Sequence, residues 1–397
     1  MIAPEPFFEP RGTPFSEFHR IRALTALGHQ VDLVTYPFGQ PVSMPGLRLF
    51  RSLKPPFLRS VGVGPSGAKI VLDALLTLTA IRRALSARYD AIHSHEEGGV
   101  IGVVLAALLR VPHLYDMHSS LPQQLGNFAF SGSRVLRSAF MAVERFMIRR
   151  SRVVIVICPA LLDTVREIEP GARTILIENA PGSADDQPTL AQAIAVRQSL
   201  GLEPATPVVL YTGTFEAYQG LDLLFDAMAI VARTRPDARL VLAGGKPDQI
   251  ERARALARTA GSESVTIFAG ERPASEIPAY LLAANLLVSP RSRGTNTPLK
   301  IYQYLRSGRA TVATRLLTHT QVLSDETAIL TGATPQDFAE GLLAGLNDPA
   351  RAEAIGRSAR HLAETKYSYE AYLERTRQAC DALQPPAPPG AVAKDLA

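Results

Sequence analysis

Residues 289–314, SPRSRGTNTPLKIYQYLRSGRATVAT, read as a strand end, a polar loop, a helix and the opening of another strand. Leu286, Leu287 and Val288 form a short apolar run before this stretch, Gly308 closes the helix, and Ala310 to Thr314 form the next apolar run. Strand, helix, strand is the unit of a parallel sheet, because parallel neighbours can only be joined by a long crossover. The loop carries Arg291, Arg293, Gly294 and Asn296, and Thr297-Pro298 reads as a helix start, with Thr as N-cap and Pro in the first helical position. Cationic side chains therefore meet the free N–H groups and positive dipole end of a helix with Leu299 and Lys300 in its first turn. That combination suits a phosphorylated ligand.

Short apolar runs alternate with helical patterns in both directions from this point. Towards the N-terminus they are Met1 to Ala3, Phe15 to Leu27, Val31 to Tyr36, Ala68 to Ala87, Ala91 to Ser94, Gly98 to Leu109, His113 to Asp116, Val153 to Cys158 and Ile175 to Ile177. A second series opens at Val208 to Tyr211 and continues through Leu240 to Ala243, Thr266 to Phe268, Leu286 to Val288 and Thr311 to Ala313. Between the two lies NAPGSADDQP (179–188), polar and rich in turn formers, the natural linker. The expected fold is α/β, two doubly wound parallel-sheet domains. The first covers 1–180, a linker and the start of the second cover 181–203, and the second covers 204–366. A helix over 367–384, with the first domain as a candidate partner, and a disordered Pro-rich tail over 385–397 complete the chain. Three residues before Pro4 allow only an edge stub for the first strand, so the natural start is expected upstream.

A chain of 397 residues with 46% hydrophobic content can fill two cores, which excludes disordered and fibrous classes. Cys158 and Cys380 stand alone, without a CxxC or a His-Cys cluster, so neither a disulfide framework nor a structural zinc is expected. No stretch reaches the roughly 20 apolar residues of a membrane span, and no signal peptide is legible, so a cytoplasmic location is expected. The net charge of +5 permits attraction to anionic partners, but the basic residues do not form a nucleic-acid motif.

The chain resembles a family 4 glycosyltransferase of the two-Rossmann-domain (GT-B) type over essentially its whole length. The matching pieces are EPRGTP, LGHQVDLVT, YDAIHSH, LYDMHS and IENAPG in the first half, and YTGTFEAYQGLDLLFDAM, ARLVLAGG, FAGERPASEIPAYLLAANLLVSP and the stretch quoted first in the second. Each is weak alone; their order makes them specific. The resemblance implies transfer of a sugar from a nucleotide-diphosphate donor with retention of configuration and without a required metal ion. The donor, a substrate and not a cofactor, belongs mostly to the second domain, and the acceptor to the first. Two family glutamates, eight positions apart, correspond here to Thr295 and Gln303, and a family Arg and Lys correspond to Thr214 and Gln219. Gln303 can still accept a hydrogen bond through its carbonyl, whereas Thr295 offers only a short hydroxyl.

Two cations missing beside a diphosphate must be replaced, since a unit-charge pair at about 4 Å is worth about 4 kcal/mol at an effective dielectric near 20. The expected replacements are Arg291, Arg293 and Lys300, helped by the helix start at Leu299 and by Gly12 and Gly213, where backbone can approach the phosphates. Glu271 and Arg272, in FAGERP, stand at a strand end where base-edge contacts are expected, against the alternative of a plain charged turn. His118 is the expected acceptor-side residue of the first domain, just past the strand His113 to Asp116, with Asp116 read as a cap or turn residue. His93 and His95 are read as a strand end and not as a metal pair, for want of a third ligand. Glu96 and Glu97 are read as acids opening the next helix.

The run Ser133 to Arg152 sets Arg134, Arg137, Arg145, Arg149 and Arg150 among apolar residues, and SLKPPFLRS (52–60) offers more of the same. Docking on an anionic membrane, which would bring a lipid-linked acceptor to the enzyme, and an ordinary packed helix with a solvated face both fit. Two rival functions stay open as well: a nucleotide-sugar epimerase or hydrolase, and a nucleotide-sugar-binding protein with impaired catalysis.

Overall fold

A computed structural model describes residues 1–9, 12–59, 67–122, 134–179 and 187–384. Most of the linker expected at 179–188, the tail at 385–397, Ser60 and Ser133 lie outside them. The chain divides into two units, Met1–Glu178 with Tyr372–Ala397, and Asn179–Ala371.

The first unit is a parallel sheet of seven strands, β1 (Ile2–Ala3), β2 (Val31–Thr35), β3 (Leu47–Arg51), β4 (Ile92–His95), β5 (His113–Met117), β6 (Val153–Val156) and β7 (Thr174–Leu176), ordered β3-β2-β1-β4-β5-β6-β7. Strands such as VVIV are apolar throughout because helices cover both faces of a parallel sheet. Those helices include α1 (Gly12–Ala26), α2 (Gly67–Ser86), α3 (Gly98–Leu109), α4 (Arg134–Arg150) and α5 (Pro159–Ile168). Helix α3 can lie close to the sheet because its glycines lack side chains. A Cβ on Gly102 would sit 2.4 Å from His113 Nε2, and one on Gly98 would sit 3.2 Å from the Ile2 carbonyl oxygen. The first strand is not the expected edge stub. Short as it is, β1 pairs with β2 on one side and β4 on the other, at the place where the strand order reverses.

The second unit repeats the plan with six parallel strands, β8 (Val208–Thr212), β9 (Arg239–Ala243), β10 (Thr266–Gly270), β11 (Leu286–Ser289), β12 (Ala310–Thr314) and β13 (Ile329–Thr331), ordered β10-β9-β8-β11-β12-β13. Around it lie α6 (Leu190–Ser199), α7 (Leu221–Thr234), α8 (Pro247–Ala260), α9 (Ile277–Ala283), α10 (Leu299–Ser307), α11 (Leu317–Thr320), α12 (Pro335–Asn347) and α13 (Pro349–Thr365). Leu224, Phe225, Leu240, Leu286, Phe338 and Leu342 fill the core between α7, α12 and the sheet. Each such side chain contributes about 1.5–3 kcal/mol by leaving water. The order reverses between β8 and β11, which makes the carboxyl ends of these two strands the switch point of the sheet. A final helix, α14 (Tyr369–Asp381), belongs from Tyr372 onward to the first unit.

Candidate functional site

In the second unit the loops after β8 and β11 are stitched together. Ser292 N–H donates to the Tyr218 carbonyl (3.1 Å), and a Cβ on Gly220 would lie 2.1 Å from the Pro290 carbonyl oxygen. Glycine is needed there twice over, since the φ of Gly220 is +73°. Gly213 (φ +129°) is exposed just after β8, and its bare α-carbon faces Lys300, whose Nζ would be 3.3 Å from a Cβ at that place. Lys300 is 9% exposed, its Nζ lies 3.8 Å from the centre of the Tyr211 ring, and the Tyr211 hydroxyl donates to the Thr214 carbonyl (2.6 Å). No hydrogen-bond or ion-pair partner among the described residues takes the Lys300 ammonium. Burial, and then the neighbouring Arg291, hold its pKa well below the usual lysine range.

Helix α10 begins one residue later than the sequence suggests. Pro298 occupies the N-cap position with ψ 135°, and Leu299 is the first helical residue. Pro298 is itself extended (φ −62°, ψ 135°), so it takes the N-cap place and leaves Thr297 one residue outside the helix. Thr297 is buried, and its hydroxyl bonds nothing among the described residues. Arg291 is not a free donor-binding cation. Its Nη1 donates to the Asn296 carbonyl (2.8 Å) and the Thr318 hydroxyl (3.1 Å), and its guanidinium lies 5.0 Å from the Tyr218 ring centre. It holds the loop in shape and adds positive potential beside Lys300. Arg293 is exposed, and Gly294 has φ +111° beside the Arg291 fork. Thr295 is half-buried, its carbonyl accepting from Gln321 Nε2 (2.6 Å). Gln303 is half-buried on α10, and Gln219 is buried with its side-chain carbonyl unpaired. Glu271 and Arg272 form an exposed tip after β10, with Arg272 Nε donating to the Ala269 carbonyl (3.0 Å).

In the first unit His118 follows β5 directly and is 5% exposed. Asp116 is neither cap nor turn: it sits within β5, fully buried, at the centre of a charge cluster. His118 Nε2 lies 3.2 Å from its Oδ1, while Arg20 Nε (2.9 Å) and His93 Nε2 (3.4 Å) approach Oδ2. The ring of His95 stacks on His93 at 4.9 Å and leans on His118 at 5.2 Å. Burial alone would raise the Asp116 pKa, but Arg20, His118 and His95 together hold it well below the usual carboxylate range. Burial works against the charged form of His118, yet Asp116 and then Glu96 and Glu5 raise its pKa. His93 and His95 have the third neighbour that the sequence did not reveal, since their ligand-capable atoms and those of Asp116 lie within 4.8 Å of one another. The Arg20 guanidinium lies against the same carboxylate, its Nε 2.9 Å from Oδ2.

Glu96 is not an acid feeding a helix dipole. It is buried with φ +46°, takes the Ser119 hydroxyl at 3.0 Å, and burial pushes its pKa to about 8. Glu97 precedes α3 without capping it and faces Lys69 (3.4 Å). Gly12 is the first residue of α1, with φ +50° and open space where a Cβ would be. On α4, Arg134, Arg137, Arg145, Arg149 and Arg150 are all exposed, as are Val135, Met141, Val143 and Phe146; Arg149 pairs with Glu169. Leu53 and Phe57 are exposed too. The residues that sequence reasoning missed are Tyr211, Arg20 and the hub role of Asp116. A buried arginine on a helix carries no local signal, because its partner is 96 positions away.

Two parallel sheets, each with its polar side chains gathered at the carboxyl edge of its switch point, define an α/β protein of the GT-B class. Residues 19–180 match the glycosyl transferase 4-like domain and residues 206–348 match the glycosyl transferases group 1 family, and the chain belongs to these glycosyltransferases. It is similar to D-inositol 3-phosphate glycosyltransferase of Acidothermus cellulolyticus, 30% identical over 68% of this chain, and spans 59% of that relative's length. Among solved structures it resembles the sucrose-phosphate synthase of Thermosynechococcus elongatus (TM-score 0.78, 21% identity, 96% of this chain and 98% of that one). It also resembles Anabaena HepE, solved in complex with UDP and glucose (TM-score 0.74, 17% identity, 96% and 98%).

Proposed function

We propose that this protein transfers a sugar from a nucleotide-diphosphate donor, bound by the second unit, to an acceptor hydroxyl handled by the first. The observation that carries the reading is the buried ammonium of Lys300, seated on Tyr211 beneath Gly213 with no anion among the described residues to balance it. Desolvating a lone cation costs free energy, and a bound diphosphate returns it. Arg291 and the free N–H groups of α10 point the same way. Thr295 and Gln303, in place of glutamates, then contact the sugar and the ribose as neutral groups, while Gln219 and Thr214 line the loop where family members carry cations. Relatives and structural neighbours named for glycosyl transfer, one of them solved with UDP and glucose, support this class.

The proposed chemistry is front-face substitution with retention. The bond between the anomeric carbon and the donor phosphate breaks, the acceptor oxygen bonds to the same face, and its proton passes to the departing phosphate oxygen. The positive end of α10 and Lys300 stabilise the leaving charge, so no metal ion is required for that purpose. His118, its pKa raised by the neighbouring Asp116, orients the acceptor. The acceptor we infer is lipid-linked or part of an envelope glycan, because α4 exposes Val135, Met141, Val143 and Phe146 among its arginines. No helix among the described residues is long and apolar enough to cross a membrane; the contact we propose is peripheral and cytoplasmic, made by the basic and apolar surface of α4.

The test is a thermal-shift screen of UDP, GDP and ADP with their sugars, followed by transfer and hydrolysis assays. A ligand at 100 times its dissociation constant adds about 2.7 kcal/mol of stability. Binding without transfer or hydrolysis would establish a non-catalytic binding protein instead. Co-sedimentation with phosphatidylglycerol but not phosphatidylcholine vesicles is expected, and indifference to lipid charge would point to a soluble acceptor.

A further inference from the structure

Arg20 lies on α1, about two turns from the helix start, and only 2% of it is exposed. A guanidinium so deeply buried needs partners, and part of the matching comes from the far end of the chain. Its Nε donates to Asp116 Oδ2 (2.9 Å), its Nη1 donates to the Thr376 hydroxyl oxygen (3.1 Å), and its Cζ lies 4.9 Å from the centre of the Tyr372 ring. Thr376 and Tyr372 stand one turn apart on α14, and the Thr376 hydroxyl donates in turn to the Tyr372 carbonyl (2.8 Å). The helix is held to the first unit by Arg375, whose Nη1 lies 3.4 Å from the buried carboxylate of Glu178.

We infer that Arg20, Tyr372 and Thr376 are positioning residues: the C-terminal helix fixes Arg20, Arg20 fixes Asp116, and Asp116 thereby sets the orientation and proton occupancy of His118. This rests on the reading of His118 as the acceptor-side residue. A helix needed only for packing would be served as well by apolar side chains, which bury without unmatched donors. Here two polar contacts and a ring enclose one guanidinium. The carboxylate it reaches has two sides, and Arg20 occupies Oδ2 while His118 Nε2 faces Oδ1 at 3.2 Å. With Arg20 in place, Asp116 is already balanced, and the imidazole can release its proton without stranding a buried anion.

Several other groups face this centre. From the segment after β1 comes Glu5, from α1 Glu17, from β4 and its end His93, His95 and Glu96, and from α14 Cys380 near Arg20. Burial keeps the Cys380 thiol neutral, pushing its pKa to about 11. Of these groups only Arg20 carries a fixed positive charge, so it is the one whose loss must be made up by an imidazolium.

The experiment is histidine-ring NMR of the full chain, titrated with pH, in wild type and in Arg20→Gln, Arg20→Lys and Thr376→Val. The chain has 8 histidines, and His118→Asn identifies the resonance of interest. Removing the guanidinium leaves Asp116 to be balanced by imidazolium alone, so the His118 midpoint is expected to move to higher pH in Arg20→Gln. A smaller move of the same sign is expected in Thr376→Val, and Arg20→Lys should return it towards wild type. Thr376→Val keeps the shape of the side chain and carries the test if Arg20→Gln does not fold. Unchanged midpoints in the folded variants overturn the inference, and a move in Arg20→Gln alone overturns the part given to α14. UDP binding, read by calorimetry, should be unchanged in all three, because these residues are not in the donor-binding unit. If transfer survives His118→Asn, the acceptor-side reading fails, while the titration still decides the positioning chain.

Discussion

Replacing Lys300 by methionine separates stability from donor binding, because the two pull in opposite directions at this residue. The ammonium is buried, rests on the Tyr211 ring at 3.8 Å, and has Arg291 as its charged neighbour. In the ligand-free protein the ring contact is worth about 0.5–2 kcal/mol, less than the cost of an unpaired buried charge. Methionine has a similar length, fills the same space and needs no partner. The free variant is therefore expected to be more stable by about 1–3 kcal/mol, a rise of a few degrees in Tm. Donor binding moves the other way. A unit-charge pair at about 4 Å is worth about 4 kcal/mol at an effective dielectric near 20, and about half of this survives the desolvation saved by the variant, so UDP should bind about 30-fold more weakly.

The sign with pH follows from the lowered pKa of Lys300. Above about pH 10.4 the lysine is neutral in folded and unfolded chains alike; as pH falls, the unfolded chain takes up the proton first. The native protein loses stability over that descent, and the advantage of Lys300→Met should grow as pH falls from 10 towards 7. Thermal unfolding with and without UDP, at two pH values, reads both effects. A variant that melts lower than wild type when free, yet shows an undiminished UDP-induced shift, refutes the reasoning.

Glu96→Gln imitates the protonated acid. With a folded pKa of about 8 against an ordinary 4.5, native Glu96 contributes stability that is full below pH 4.5 and lost as pH rises through about 8. The variant should match wild type near pH 5 and exceed it by a few kcal/mol at pH 9, measured by urea unfolding. Gly220→Ala would put a Cβ 2.1 Å from the Pro290 carbonyl oxygen at φ +73°, and should cost more than about 2 kcal/mol along with most UDP affinity. Arg291→Lys keeps the charge but loses the fork that holds the Asn296 carbonyl and the Thr318 hydroxyl. It should lower stability by about 1–3 kcal/mol in the same urea assay while UDP affinity falls less than in Lys300→Met.

The alternation of apolar runs was enough to read both parallel sheets, since strands like VVIV and VVLYT must be buried on both faces. The strands it missed are at sheet edges. LRLFR (β3) carries arginines on a half-exposed strand, and β13 has only three residues, so neither shows the apolar signal of a central strand. The loop cations were legible because they sit beside a helix start, but Arg291 and Lys300 differ in what surrounds them, and that depends on Tyr211, Tyr218 and Thr318. The position of His118 just past a strand was legible, and the structure places it there. Asp116, two residues earlier, was misread because acids rarely occur inside buried strands, and the arginine that makes this one tolerable comes from another element.

Because residues from Tyr372 onward fold with the first unit, the two halves of this chain are interleaved and not strung in tandem. A fragment ending at Glu178 would contain every strand of the seven-stranded sheet and still be incomplete, with Arg20 deprived of Thr376 and Glu178 of Arg375. Trimming the last two helical turns of α14 from the full chain should accordingly damage the beginning of the protein before its end. During synthesis the N-terminal half cannot reach its final form until nearly the whole polypeptide has left the ribosome.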